Sequence, residues 1–128
     1  MYPNFKAILA YLLMLPLLSM TRYCEPIVNP KMVRHGDIAH FNPENQDKIG
    51  VVSSIKIYEK LPSVKVIKKQ KIKEGSARYN ELMTIATNNY KKILKAVARE
   101  KNFVLIVEYG GVRDYPFEVV TSLCISRI

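Results

Sequence analysis

Residues 77–101 form one long stretch of helical periodicity, and this stretch most constrains how the chain can fold. Its apolar residues recur every three to four positions, close to the heptad spacing of a coiled coil, which predicts a helix with one buried face. They are Tyr79, Leu82, Met83, Ala86, Tyr90, Ile93, Leu94 and Val97. A helix of this length spans about 37 Å, so it must pack along other elements or project from a small domain. Ser76 is a candidate N-cap, and Asn102 is expected to end the helix.

Apolar β-branched runs on either side of this helix predict strands. Residues 103–108 begin with Phe-Val-Leu-Ile-Val, which is typical of a strand buried on both faces. Residues 49–52 predict an earlier strand. After the Gly110-Gly111 turn, residues 112–125 predict one or two short strands or a final helical turn, and the strand is expected over residues 112–120. The fold class predicted is therefore α+β, with a small antiparallel or mixed sheet.

The segment between the first strand and the long helix is less clear. Ser53 or Ser54 is a candidate cap for a helix starting at Ile55, with Tyr58 and Leu61 on the same face as Ile55. Pro62 interrupts that helix. Residues 63–74 fit both an alternating strand and a helical face, and both interpretations stay open. If they are helical, they form a projecting or packed helical hairpin with residues 77–101.

The N-terminal part predicts export. Residues 7–20 are a nearly continuous apolar run behind Lys6, too short for a membrane-spanning helix of about 20 residues but suited to the core of a secretory signal. Residues 1–23 are expected to be a signal peptide or a retained N-terminal anchor, with membrane association through residues 7–20 in the second case. The proline-containing residues 24–47 predict an extended leader, and residues 48–128 a single domain.

The net positive charge is confined to the middle of the chain. Between Lys60 and Lys101 there are twelve Lys or Arg and three acids, so this segment accounts for the whole net charge of +9. Such a localised charge predicts a surface for an acidic or polyanionic partner. The candidate binding residues, called the basic arm below, are Lys65, Lys68, Lys69, Lys71, Lys73, Lys91, Lys92, Lys95 and Arg99. The candidate sheet or oligomer core comprises Ile49, Val51, Val104 and Ile106.

No catalytic constellation or cofactor motif is present in the sequence, so we expect a protein that is not an enzyme and that needs no cofactor. His35 and His40 lie in a spacing that favours solvated histidines over a metal site. Glu108 and Asp114 flank the glycine turn and are interpreted as solvated turn acids. Cys124, between Leu123 and Ile125, is predicted to be a buried free thiol, with a pairing to Cys24 as the alternative.

Two blocks resemble the Skp/OmpH family of periplasmic chaperones. Residues 48–62 (KIGVVSSIKIYEKLP) are similar to the family's opening strand and helix start, and residues 96–128 are similar to its C-terminal block. The resemblance implies a β body that trimerises, helical arms that hold unfolded outer-membrane proteins, a periplasmic location and no catalytic residues. In this chain each arm would contain about 20 residues. A second, weaker resemblance, to the YbjQ-like family, depends on the strand that follows the helix ending at Asn102.

Three functions are therefore expected in this order. The first is a periplasmic holdase that binds unfolded polypeptides through the basic arm. The second is a non-catalytic envelope module that binds one folded partner. The third is nucleic-acid binding, which is disfavoured because Tyr79 and Tyr90 fall in the apolar seam of the long helix and are not expected to stack on bases.

Overall fold

A computed structural model describes residues 27–128 and has an α+β fold, as the sequence predicts. The expectations for residues 1–23 and for Cys24 lie outside the described residues. The strands are β1 (Val33–His35), β2 (Lys48–Val52), β3 (Phe103–Glu108) and β4 (Glu118–Val119). The helices are α1 (Ser54–Lys60), α2 (Pro62–Lys69), α3 (Ala77–Lys101) and α4 (Thr121–Ser126).

The four strands form one mixed sheet in the order β1-β3-β2-β4. β2 is parallel to both β3 and β4, and β1 is antiparallel to β3. The register between β2 and β3 shifts after Lys48 pairs with Phe103, because Ile49 pairs with Leu105 and leaves Val104 as an extra residue. Val104 is therefore a β-bulge, which bends the strand locally.

The helix α3 has the bounds that its periodicity predicts. The Ser76 Oγ accepts a hydrogen bond from the Tyr79 backbone N–H at 3.2 Å, so the N-terminal cap is confirmed. Asn102 ends the helix in the left-handed region, with φ 58°. The buried side chains of α3 run from Leu82 to Ala98, so the helix packs along most of its length and only its first turn and a half is largely exposed.

Residues 62–69 form a helix, so the strand alternative for this segment is wrong. Pro62 occupies the first turn of α2, where its missing N–H has no cost, after Leu61 has broken α1 in an extended conformation. α2 packs along α3 as a helical hairpin. In α1 the buried residue is Ile57, and Tyr58 is partly buried against the same core, whereas Ile55 is 72% exposed. The expectation that Ile55 shares one face with Tyr58 and Leu61 is therefore wrong for Ile55.

The sheet is covered on both faces. The helical side contains Val52, Phe103 and Ile106 packed against Leu94 and Val97 of α3. The opposite side contains Ile49, Val51, Leu105 and Val107, and it is covered by the segment before β2 and by the loop after β3. Val28 is buried there, and it forms an isolated antiparallel bridge with Val112.

The expectation that residues 24–47 are a leader outside the domain needs correction for residues 27–47. They contribute β1 to the sheet, and they cover the face that the helices leave open. Three short 3₁₀ turns, Pro30–Met32, Ile38–His40 and Pro43–Asn45, give this segment its irregular path. The sequence shows no sustained period here because such turns have none.

The expectation of strands over residues 112–120 is correct only in part. The strand β4 has two residues, Glu118 and Val119, and the chain then turns into α4. Both alternatives stated for residues 112–125, a short strand and a final helical turn, are present in succession.

Gly36 gives a test of the packing between the N-terminal segment and β3. Its φ is 89°, and a Cβ there would lie 2.2 Å from the Val104 carbonyl oxygen at the bulge. Gly75 has a similar φ of 84°, but a Cβ there would have no neighbouring atom within 4 Å. We expect Gly75→Ala to reduce the free energy of unfolding by about 1 kcal/mol from backbone strain, and Gly36→Ala by about 3 kcal/mol because of the added clash. Urea denaturation of both variants measures this, and equal losses would contradict the close approach of Gly36 to β3.

Candidate functional site

The basic arm has one face on α2. Lys65, Lys68 and Lys69 lie on the exposed side of this helix, while Val64 and Ile67 are partly buried on the other side. Lys71 and Lys73 follow in the turn to α3 and are exposed as well. Lys71 has a positive φ of 49°, which makes the turn after α2 tight.

The second face of the basic arm is on α3. Lys91, Lys95 and Arg99 recur every four residues, so they form one row along the helix, and all three are exposed. Lys92 is exposed beside this row and lines a depression at the junction of the two helices, with Leu61, Pro62 and Ile93. All nine predicted basic residues therefore lie on the surface of one hairpin: one row is on α2, a second row is on α3, and Lys71, Lys73 and Lys92 lie outside the two rows.

The positive charge of these rows is not compensated by nearby acids. Within residues 27–128, none of the nine predicted side chains forms an ion pair. Two of the three acids of this segment are taken by other cations, because Glu81 pairs with Arg78 and Glu100 pairs with Arg127. The arm therefore presents a positive potential to solvent.

The four candidate core residues have a different place. Ile49, Val51 and Ile106 are at most 1% exposed, and Val104 is half-buried at the bulge. They are covered by other parts of the same chain, so they belong to the core of one molecule.

A polar cluster that the sequence analysis missed lies at the edge of the sheet where β2 and β3 end. The Glu108 carboxylate accepts hydrogen bonds from the Ser54 backbone N–H at 3.0 Å, from the Ser54 Oγ, and from the Arg34 Nε at 3.2 Å. The Tyr90 hydroxyl lies 2.6 Å from the Ser54 Oγ. Because the single Ser54 hydroxyl proton goes to Glu108, Tyr90 donates to Ser54.

This cluster ties four elements together. Arg34 comes from β1, Ser54 from α1, Tyr90 from α3 and Glu108 from β3. Tyr58 of α1 extends the cluster, since its ring centroid lies 4.8 Å from that of Tyr90. Part of this cluster could have been predicted from the sequence. The carboxyl ends of neighbouring parallel strands meet at one edge of a sheet, and Glu108 ends one such strand while Ser54 closely follows the other. The interpretation of Glu108 as a solvated turn acid is wrong.

The pKa values of the cluster favour a structural role over acid–base chemistry. Burial raises the pKa of Glu108, but the hydrogen bonds from Ser54 and Arg34 outweigh burial and hold this pKa below its ordinary value. Burial raises the pKa of Tyr90. At neutral pH the acid is therefore ionised and the phenol is protonated, and each already has its partner inside the cluster.

The remaining candidate groups do not assemble into a reactive site. In the described part of the chain, no group of three or more His, Cys, Asp or Glu side chains is close enough to hold a metal ion. His40 is exposed beside Asp37. Cys124 is a buried free thiol, as the sequence predicts, and burial raises its pKa to about 11.

Comparisons with protein-family models, with curated proteins and with solved structures gave no match to this chain. Across residues 27–128 no helix combines the length and the apolar character needed to span a bilayer.

The Glu108 cluster makes the stability of the fold depend on pH in a defined direction. Because the folded state lowers the pKa of Glu108, its contribution is complete above the pKa of an unfolded glutamate, about 4.3, and is lost as the pH falls through the folded-state pKa. We expect Glu108→Gln to reduce the free energy of unfolding by about 2 kcal/mol at neutral pH, and the difference from the parent to shrink as the pH falls below the pKa of an unfolded glutamate.

Denaturation at a series of pH values measures this difference. The control is Glu118→Gln, which removes a carboxylate from an exposed pair with Lys101 and is expected to change stability by less than about 1 kcal/mol. A Glu108→Gln difference that stays constant from neutral to acid pH would contradict the assignment.

Proposed function

We propose that this protein is a non-enzymatic holdase that binds acidic segments of unfolded polypeptide on the exposed basic faces of α2 and α3. The observation that carries the proposal is the state of the basic arm: nine cationic side chains are exposed, and within residues 27–128 none has an acidic partner. A partner that brings its own carboxylates satisfies these charges without requiring a fixed shape.

The packing of the hairpin supports binding on its outer surface. α2 has eight residues, about 12 Å, and it lies against α3, whose own buried face runs from Leu82 to Ala98. In the Skp/OmpH resemblance the arms are free and enclose a client between subunits. In this chain we propose that the client lies along the two basic rows, so that binding does not require a cavity between arms.

The same proposal includes export to the periplasm and assembly into a homo-oligomer, a trimer if the Skp/OmpH resemblance holds. Both are tested independently of client binding. N-terminal sequencing of the protein recovered from a periplasmic fraction tests export, and the mass in solution tests assembly.

The first test measures binding of a fluorescent acidic peptide by anisotropy. Three triple variants each remove three positive charges: Lys65→Gln/Lys68→Gln/Lys69→Gln on α2, Lys91→Gln/Lys95→Gln/Arg99→Gln on α3, and Lys31→Gln/Lys48→Gln/Lys56→Gln as the matched control elsewhere on the surface. We expect each arm variant to weaken binding about tenfold at low salt, because three ion pairs of about 0.5 kcal/mol are lost. The control is expected to change it less than about twofold.

Salt gives an internal check on the same measurement. At about 0.5 M salt the Debye length is close to 4 Å, so the differences between the arm variants and the parent should disappear. Equal weakening by all three variants would mean that only net charge matters, and this result would contradict binding on the arm.

The holdase activity itself is tested with a denatured outer-membrane protein that aggregates on dilution. We expect the parent to reduce light scattering at a molar excess, the two arm variants to be less effective, and high salt to abolish the effect. No reduction by the parent at any salt concentration would reject the holdase proposal. If the protein binds single-stranded nucleic acid and the logarithm of its binding constant falls steeply with the logarithm of the salt concentration, the nucleic-acid alternative is favoured.

A second candidate, an envelope module that binds one folded partner, is favoured by an apolar groove of about 480 Å³ where β2 and β3 begin. Phe103, Tyr115 and Phe117 line this groove, and Phe117 is 47% exposed. In that case Phe117→Ser would abolish a stoichiometric complex while leaving binding of the acidic peptide unchanged.

A further inference from the structure

A depression between β1 and the C-terminal half of α3 has the composition of an anion site. It has a volume of about 430 Å³ and is lined by His35, Lys95, Ala98, Arg99, Asn102 and Phe103. Ala98 and Phe103 are buried and form an apolar floor. The other four side chains carry nitrogen donors, and no carboxylate is among the lining residues.

The cations of this depression are available to a ligand. Lys95 and Arg99 are one helical turn apart on the same row of α3, and within residues 27–128 neither forms an ion pair. An arginine presents a planar fork that fits the two oxygens of a carboxylate or a related oxyanion, and a nearby lysine adds a point charge. The depression is at the C-terminal end of α3, where the helix dipole contributes only about half a negative charge against these two full positive charges.

His35 reports directly on the charge in this depression. Burial lowers the pKa of His35, and the Lys95 ammonium lowers it further. His35 pairs with the uncharged Ile106 of β3, and the neighbouring Arg34 is bound to Glu108. The other charged group nearest in sequence is Asp37, which hydrogen-bonds to the Ala39 backbone N–H. Lys95 and Arg99 are therefore the charged groups that face the imidazole from α3.

We propose that this depression binds an oxyanion between Lys95 and Arg99, and that its ligand in the protein's function is a carboxylate of the bound acidic polypeptide. The identity of that ligand rests on the proposed function. The site itself rests on the geometry of the depression and is tested separately. The apolar floor accommodates the aliphatic stem of an acidic side chain.

A bound oxyanion has a consequence for His35. Its negative charge offsets the positive charge of Lys95 and favours the imidazolium, so the pKa of His35 rises when the site is filled. By linkage, the anion then binds more tightly as the pH falls through that pKa. This gives the binding surface a contact that depends on the protonation of His35.

The experiment is an NMR titration of the two histidines of the chain. Two probes are used in turn, inorganic sulfate and a hexaglutamate peptide, each compared with chloride at the same ionic strength. We expect the pKa of His35 to rise by about 0.5 with either probe relative to chloride, since about 0.7 kcal/mol of added attraction corresponds to this change. His40 is exposed in another turn and is the internal control, with no difference between the probe and chloride.

Three variants assign the effect to the depression. Lys95→Gln is expected to raise the pKa of His35 without any anion, and Lys95→Gln and Arg99→Gln each to abolish the rise caused by the probes. Lys56→Gln removes the same charge from an exposed position outside both the basic arm and the depression, and it should leave the rise intact. The proposal is overturned if His35 and His40 shift together with both probes, or if Lys56→Gln and Arg99→Gln have the same effect.

The two proposals fail separately. A rise with sulfate in a protein that binds no acidic peptide by anisotropy would leave the oxyanion site in place and reject the holdase function. Peptide binding without any selective change in the pKa of His35 would reject the oxyanion site and leave the holdase function in place.

Discussion

The burial of β3 on both faces is the constraint on which the rest of the structure depends. Leu105, Ile106 and Val107 are fully buried, although their side chains alternate between the two sides of the sheet. A strand of this kind needs a cover on each face. If the side chains on either face were left in water, the fold would lose about 2 kcal/mol of stabilisation per large aliphatic side chain. The helices cover one face, and the segment before β2 covers the other.

Because the two faces of the sheet are covered by different kinds of structure, the net positive charge can be concentrated in one region. The segment before β2 and the loop after β3 must follow an irregular path over an apolar face, and their own apolar residues are used there. α3 covers the opposite face with one side, α2 packs on α3, and both helices leave an outer side in water. Side chains on that outer side contribute little to the core, so nine cations can be placed there without destabilising the fold.

The sequence was sufficient where a periodic pattern and a buried face coincide. α3 and β3 begin and end close to their predicted residues because the spacing of Leu82, Ala86 and Val97 and the run after Asn102 each specify one packing arrangement. It was insufficient where tertiary contacts decide. β1 has three residues and no period of its own, and it is a strand only because β3 offers a free edge. Ile55 and Ile57 are equally apolar, and the position of α1 over the sheet alone determines that Ile57 is the buried one.

The candidate sites show the same limit. The lysines of the basic arm were identifiable from composition, because exposed charge needs no partner in the chain. Glu108 and His35 were not, since their environments depend on residues far away in sequence: Glu108 on Arg34 and Ser54, and His35 on Lys95.

These two environments also have opposite consequences for the surface. Glu108 is the acid of β3, and its carboxylate is bound to Arg34 and Ser54 beside Tyr90 of α3. His35, from the segment that covers the second face, instead reaches the row formed by Lys95 and Arg99. The segment before β2 thus neutralises one negative charge beside the hairpin through Arg34 and adds a titratable donor beside the row through His35. The basic surface is therefore a product of the whole fold, and the isolated hairpin would lack both its support and one of its contacts.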